Sequence, residues 1–179
     1  GYDNIPSKKI NIKTKLNKLK VSDEDFLKDH LIKNGFSEVI NFPFSETKAS
    51  RSIIVDNPLD NSKTYLRTSL VNSLLSNLAY NENRQKDSIK LFEMSDLYYS
   101  TDSVERQKKL GIIVSGRVGE NYKVFSRKLD RKYLQELFSK IDLNIDDKIE
   151  SIDRKLIKSK FKTPVFFIET LIEDLNLNI

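Results

Sequence analysis

The sequence predicts an α+β domain: a largely antiparallel sheet flanked by helices, which pack on one side of it. Three observations carry this. A capped helix runs straight into a strand pattern at 22–44, a second apolar helix face at 71–79 is followed by two strand patterns at 88–99 and 110–114, and the connections between successive strands are short. Polar, turn-forming clusters rather than long crossovers separate neighbouring strands, which favours antiparallel pairing.

Taken in order, Lys8–Lys20 interleaves Ile10, Ile12, Leu16 and Leu19 with lysine and reads as an extended connector. Ser22 can accept from the free N–H groups of a first helical turn, with Asp25 three residues on as a variant capping box. Asp23, Glu24 and Asp25 complement the positive end of the helix dipole, Lys33 the negative end, and Gly35 sits where a left-handed residue closes a helix. Phe36, Ile40, Phe42 and Phe44 then share one face of a period-two pattern, predicting a strand with an apolar side. A polar loop at 45–51, a short strand at Ile53–Val55 and two turn clusters (Asp56-Asn57-Pro58 and Asp60-Asn61-Ser62) lead to an extended Tyr65–Arg67.

Thr68 or Ser69 caps the next helix, whose Val71, Leu74, Leu75, Leu78 and Ala79 recur at the spacing of a core-facing stripe. In SIKLFEMSDLYY (88–99) the apolar set changes face between Leu91 and Phe92, which predicts a bulge or two-sided burial. Leu110–Val114 is almost continuously apolar and belongs in the middle of the sheet. Asp130 caps a helix carrying Tyr133, Leu134, Leu137, Phe138 and Ile141, 144–160 is charged and weakly patterned, and PVFFIETL (164–171) is a last strand.

Composition narrows the chemistry. The chain has no cysteine and one histidine, His30, which excludes disulfides, thiolate zinc sites and any multi-histidine metal centre. Absence of cysteine fits a reducing cytoplasm, and no run is long and apolar enough to span a membrane. The net charge of +5 is located entirely in residues 1–20, where Lys8, Lys9, Lys13, Lys15, Lys18 and Lys20 face one acid, Asp3. That arm is either a solvated lysine-rich linker or a contact for RNA phosphates, the second reading making the chain an RNA-binding module. The initial Gly suggests a fragment or processed piece, with 1–21 as the tail of a preceding domain plus a basic linker and 22–179 as the folded domain, shortened at its C-terminus.

No catalytic constellation emerges from spacing. Gly111, Gly116 and Gly119 lack the Gly-Lys-Ser/Thr and helix start of a phosphate loop, and serve a strand end and its turn. Glu38, Glu93 and Asp96 lie on or near strands, but nothing in the sequence brings two together, and strand acids ordinarily face water. His30 has no identifiable partner, and Ser69, Ser73 and Ser76 have no nucleophile-elbow setting.

Four segments together resemble one family. GYDNIP at 1–6, GFSEVINFPF at 35–44, VDNPLDNSKTYLRTSLVNSLLSNLAYNENR at 55–84 and SIKLFEMSDLYY at 88–99 look like the β subunit of bacterial phenylalanyl-tRNA synthetase, the likeness extending over 1–6 and about 22–141. The resemblance implies a degenerate core of the class II aminoacyl-tRNA synthetase type. Its helix and strand at 22–44 would correspond to motif 1, which such enzymes use for subunit contact, making Phe26, Leu27, Leu31, Phe36, Ile40 and Phe42 core or interface positions. It further implies an α-subunit partner in an (αβ)₂ assembly, tRNA engaged through the complex, a cytoplasmic setting, and ATP with Mg²⁺ for the whole enzyme. No catalytic, cofactor-binding or metal residue carries over. The motif 2 arginine is missing, Arg106 falling in what reads as a loop, and 161–179 lacks the glycine and arginine of motif 3. The chain departs from the family where VFSRKLDRKYLQELF (124–138) replaces an aspartate-rich stretch and where a His-Pro-Gly segment is absent, so the role of 142–163 stays open.

Overall fold

The computed structural model describes residues 22–58, 60, 62–119 and 122–175. Helix α1 (Asp23–Lys33) starts as its sequence dictates: Ser22 Oγ accepts from Asp25 N at 3.2 Å and donates to the Asp25 carboxylate at 2.7 Å. Gly35 closes it at φ +79, and Phe36 N donates back to Leu31 O at 3.1 Å. There follow β1 (Ser37–Glu38), β2 (Phe44–Ser45), β3 (Tyr65–Leu66), α2 (Val71–Asn83), β4 (Ser88–Ser100), β5 (Val104–Gly116), α3 (Arg131–Ser139), β6 (Ile149–Ile152) and β7 (Val165–Leu171), with short 3₁₀ turns at Asp146–Lys148 and Arg154–Leu156.

The main sheet has five strands in the order β1-β4-β5-β7-β6. Three of its pairings are antiparallel, but β1 runs parallel to β4, with Ser37 opposite Leu91 and Glu38 opposite Phe92. The sheet is therefore mixed rather than largely antiparallel. The cause is connectivity: the chain between β1 and β4 crosses over through α2, and a helical crossover returns the strand in the same direction. A separate antiparallel pair joins β2 to β3, and the strand expected at Ile53–Val55 is reduced to a single bridge, Ile54 to Tyr65.

Two-sided burial governs the centre. The β4–β5 register runs unbroken from Ser88 opposite Gly116 to Ser100 opposite Val104, so the change of apolar face in 88–99 reflects two buried faces and no bulge. Phe92, Leu110, Ile112, Val114 and Ile168 pack with Leu27 and Leu31 of α1 and Leu134, Leu137 and Phe138 of α3. Ile89, Leu91, Ile113, Val165 and Phe167 pack with Leu74 and Leu78 of α2 on the other face. Helices thus cover both faces, not one, because residues alternating along β4, β5 and β7 are apolar on both sides. Strand β5, expected centrally, occupies the middle of the order. Gly111 in it lets α2 settle onto the sheet: a Cβ there would lie 2.9 Å from Leu74 Cδ1 and 3.0 Å from Leu70 Cδ1. Segment 144–160, weakly patterned in sequence, supplies the edge strand β6, whose Ile149 sits opposite Ile168.

Candidate subunit interface

The apolar strand expected over 36–44 divides into two short pieces, and what interrupts it defines the site. Val39 N still donates to Phe92 O at 2.8 Å, continuing the line of β1 along β4. Asn41 then turns its backbone N–H to the side chain of Glu93 at 3.4 Å instead of to the backbone of β4, and Pro43 has no N–H to offer. The ladder stops, and the two apolar side chains between these tethers face outward: Ile40 is 93% exposed and Phe42 78%.

Beneath this turn lies a buried ion pair. Glu93, 2% exposed on β4, accepts from both terminal nitrogens of Arg67, itself 6% exposed, at 3.2 Å for the Nη1 bond and closer still for Nη2. Arg67 also donates to Ser73 Oγ at 3.0 Å and Ser95 Oγ at 3.1 Å, and its backbone N–H to Pro43 O at 2.8 Å. Asn41 Nδ2 donates to Glu93 Oε2 at 2.8 Å, and its amide oxygen accepts from Asn77 Nδ2 of α2 at 2.9 Å. Beside the ridge, Phe42, Phe44, Pro58, Asp60 and Lys63 line a largely apolar hollow of about 200 Å³. Asp60 is fixed there by Ser62, whose hydroxyl and backbone N–H both donate to it and hold its carboxyl below the usual range.

The other charged groups on this face of the sheet are similarly occupied. Glu169 of β7 accepts from Lys109 Nζ at 3.0 Å, Ser69 Oγ at 2.6 Å and Leu70 N at 3.0 Å. The N-cap of α2 is Leu70, not the Thr68 or Ser69 expected; without a capping side chain of its own, its start is met by Glu169 from across the sheet and by Ser69 Oγ, which accepts from Val71 N. Burial opposes the Lys109 charge, but hydrogen bonds to Glu169 and Tyr99 outweigh it and raise its pKa. Buried Glu82 takes two 2.8 Å bonds from Arg154, which also donates to Ser115 and Thr163 and so fastens the 153–163 segment to α2 and β5.

The residues singled out from sequence separate accordingly. Leu27, Leu31 and Phe36 are spent on the chain's own core, and Phe26 is half-buried. Only Ile40 and Phe42 of that set keep most of their surface. Lys8, Lys9, Lys13, Lys15, Lys18 and Lys20 lie outside the described residues. Arg106 lies on β5 rather than in a loop, bonded at 2.9 Å to Asp96. The β4–β5 hairpin is longer than the sequence pattern indicated, and only 101–103 turn. Of the strand acids, Glu38 pairs with Lys28 and Asp96 with Arg106, but Glu93 is buried. His30 links two helices: its Nε2 lies 3.0 Å from Leu137 O of α3, and desolvation lowers its pKa. Sequence reasoning missed Glu93, Arg67 and Asn41 as a unit. The available signal was a single acid inside the apolar run LFEM, where a solvent-facing acid would break two-sided burial.

These residues do not fit an ATP site. Arg67 is neutralised by Glu93 inside the domain, and Arg106 is held by Asp96 at the surface. Among the described residues, no group of three or more His, Cys, Asp or Glu side chains is placed to hold a metal ion, and no helix is long and apolar enough to cross a membrane.

Residues 5–148 match the family model described as the phenylalanyl tRNA synthetase beta chain CLM domain. The chain belongs to this family. Among its relatives, the phenylalanine–tRNA ligase beta subunit of Buchnera aphidicola subsp. Acyrthosiphon pisum is 34% identical over 113 residues, 56% of this chain and 14% of the relative. That of Buchnera aphidicola subsp. Baizongia pistaciae is 28% identical over 189 aligned positions, 93% of this chain and 21% of the relative. The Photorhabdus laumondii beta subunit is 26% identical over 144, or 73% and 18%. This CLM-domain chain therefore spans about a fifth or less of the curated relatives it matches.

Proposed function

We propose that this domain is a noncatalytic docking and support module of a phenylalanine–tRNA ligase β subunit. In this reading it is a degenerate class II-type core that helps assemble the α subunit into an (αβ)₂ enzyme. The α subunit handles ATP, Mg²⁺ and phenylalanine, tRNA is engaged through the complex, and the assembly works in the cytoplasm. One observation carries the reading: while Leu27, Leu31 and Phe36 of the same segment are buried in the core, Ile40 and Phe42 stand out at 93% and 78% exposure beside an apolar hollow. Covering each side chain on assembly contributes about 1.5–3 kcal/mol. Apolar anchors set in a polar surround are the features that dominate obligate interfaces.

Co-expression with the α subunit encoded by the same genome tests this. The chain is expected to co-purify with α and to be poorly soluble without it, and Ile40→Asp/Phe42→Asp to abolish co-purification. ATP–pyrophosphate exchange with phenylalanine should be absent for the chain alone. A monodisperse monomer that ignores α, or robust exchange by the chain itself, would sink the proposal.

A further inference from the structure

We infer that Asn41 is a positioning residue that holds Ile40 and Phe42 outward for the partner subunit, with buried Glu93 as its anchor; this rests on the docking function proposed above. Three alternate residues are tied inward. Val39 N bonds to Phe92 O, Asn41 bonds through its N–H and Nδ2 to the two oxygens of Glu93, and Pro43 O accepts from Arg67 N. The two residues between them project into solvent. On an untethered loop an apolar pair this exposed would withdraw from water, Phe42 sinking further into the hollow whose wall it already shares with Phe44 and Pro58. Asn41 prevents that collapse because its side chain is held at both ends, by Glu93 of β4 and by Asn77 of α2. Glu93 in turn is fixed by Arg67, so the ridge is set by a chain of bonds rooted inside the domain. Pre-ordering the ridge in its bound geometry removes an ordering cost from association.

The test measures binding of the α subunit to this chain by titration calorimetry, alongside thermal unfolding and hydrogen exchange, for Asn41→Ala, Asn77→Ala and Phe42→Asp. Losing a hydrogen bond to a charged acceptor corresponds to roughly a tenfold loss of affinity. Asn41→Ala should therefore bind α about tenfold more weakly, melt somewhat lower because the buried Glu93 carboxylate loses a donor, and exchange faster at the Val39 and Arg67 amides that flank the ridge, with exchange in β5 and β7 unchanged. Asn77→Ala should show a smaller loss in the same direction. Wild-type affinity in Asn41→Ala, with binding abolished by Phe42→Asp, overturns the inference and leaves the docking function standing. Wild-type affinity in Phe42→Asp overturns both. A loss of affinity with exchange raised across β5 and β7 as well as at the ridge assigns Asn41 to general stability and also overturns the inference.

Discussion

Removing the Glu93 carboxylate is the most informative single perturbation of the fold. Glu93→Ala deletes an acceptor that takes two bonds from Arg67 and two from Asn41, at a site only 2% exposed. Arg67 is left as a buried cation with only the neutral hydroxyls of Ser73 and Ser95 for its side chain, and its Nε already has no partner. Breaking a buried pair from one side costs about 3–5 kcal/mol, mostly the penalty of the orphaned charge. At about 2–4 °C per kcal/mol, the melting temperature should fall by roughly 6–20 °C. Urea unfolding followed by circular dichroism measures the loss. Arg67→Met/Glu93→Leu provides the control: with both charges gone the orphan penalty disappears, and the double variant should be more stable than Glu93→Ala. A loss below ~1 kcal/mol for Glu93→Ala, or a double variant less stable than the single, would refute an energetically coupled buried pair.

Three further outcomes follow from geometry. Gly111→Val forces a branched side chain against Leu70 and Leu74 of α2 and should cost about 1–3 kcal/mol or more by urea titration, whereas Ser103→Ala in the exposed turn should be near neutral. Asp130→Ala removes the acceptor of the 2.8 Å bond from Tyr133 N and should cost about 1 kcal/mol, with Asp130→Ser recovering most of it. Desolvation lowers the His30 pKa, so the unfolded chain takes up that proton first as pH falls. Its contribution is fully present above about pH 6.5 and declines as pH drops from there toward the folded-state pKa. The groups facing the ring are Leu137 O, Lys140, Asp29 and Lys33. His30→Gln can retain the bond to Leu137, and the difference in unfolding free energy between it and the wild type should change below pH 6.5 and stay flat above it.

Local rules made much of the fold legible. Ser22 and Asp130 cap their helices, Gly35 takes the left-handed conformation, and β5 is central, because each depends on residues within a turn or a strand of one another. The apolar face of α2 likewise follows from the spacing of Leu74 and Leu78. Properties set by distant partners were not legible. The parallel β1–β4 pairing is fixed by a crossover, and the strand expected at 36–44 fails because Asn41 meets the side chain of Glu93, far off in sequence but on the neighbouring strand β4. The period-two pattern of Phe36, Ile40, Phe42 and Phe44 is genuine, but Phe36 lies in the core and the next two lie outside it. Alternation identifies a shared side of an extended chain and cannot tell a core from a docking ridge once the chain leaves the sheet. The Glu82–Arg154 and Lys109–Glu169 pairs were invisible for the same reason, being set by topology.

The central claim, that the 40–42 ridge meets the α subunit, is tested most directly by site-specific photo-crosslinking. A photoreactive phenylalanine analogue is placed at Phe42, or at the exposed Tyr80 of α2 as the comparison site, in chain co-expressed with the α subunit. Position 42 should crosslink to α in high yield and position 80 should not. Crosslinking to α from position 80 with none from position 42, in a chain that still co-purifies with α, would contradict the account.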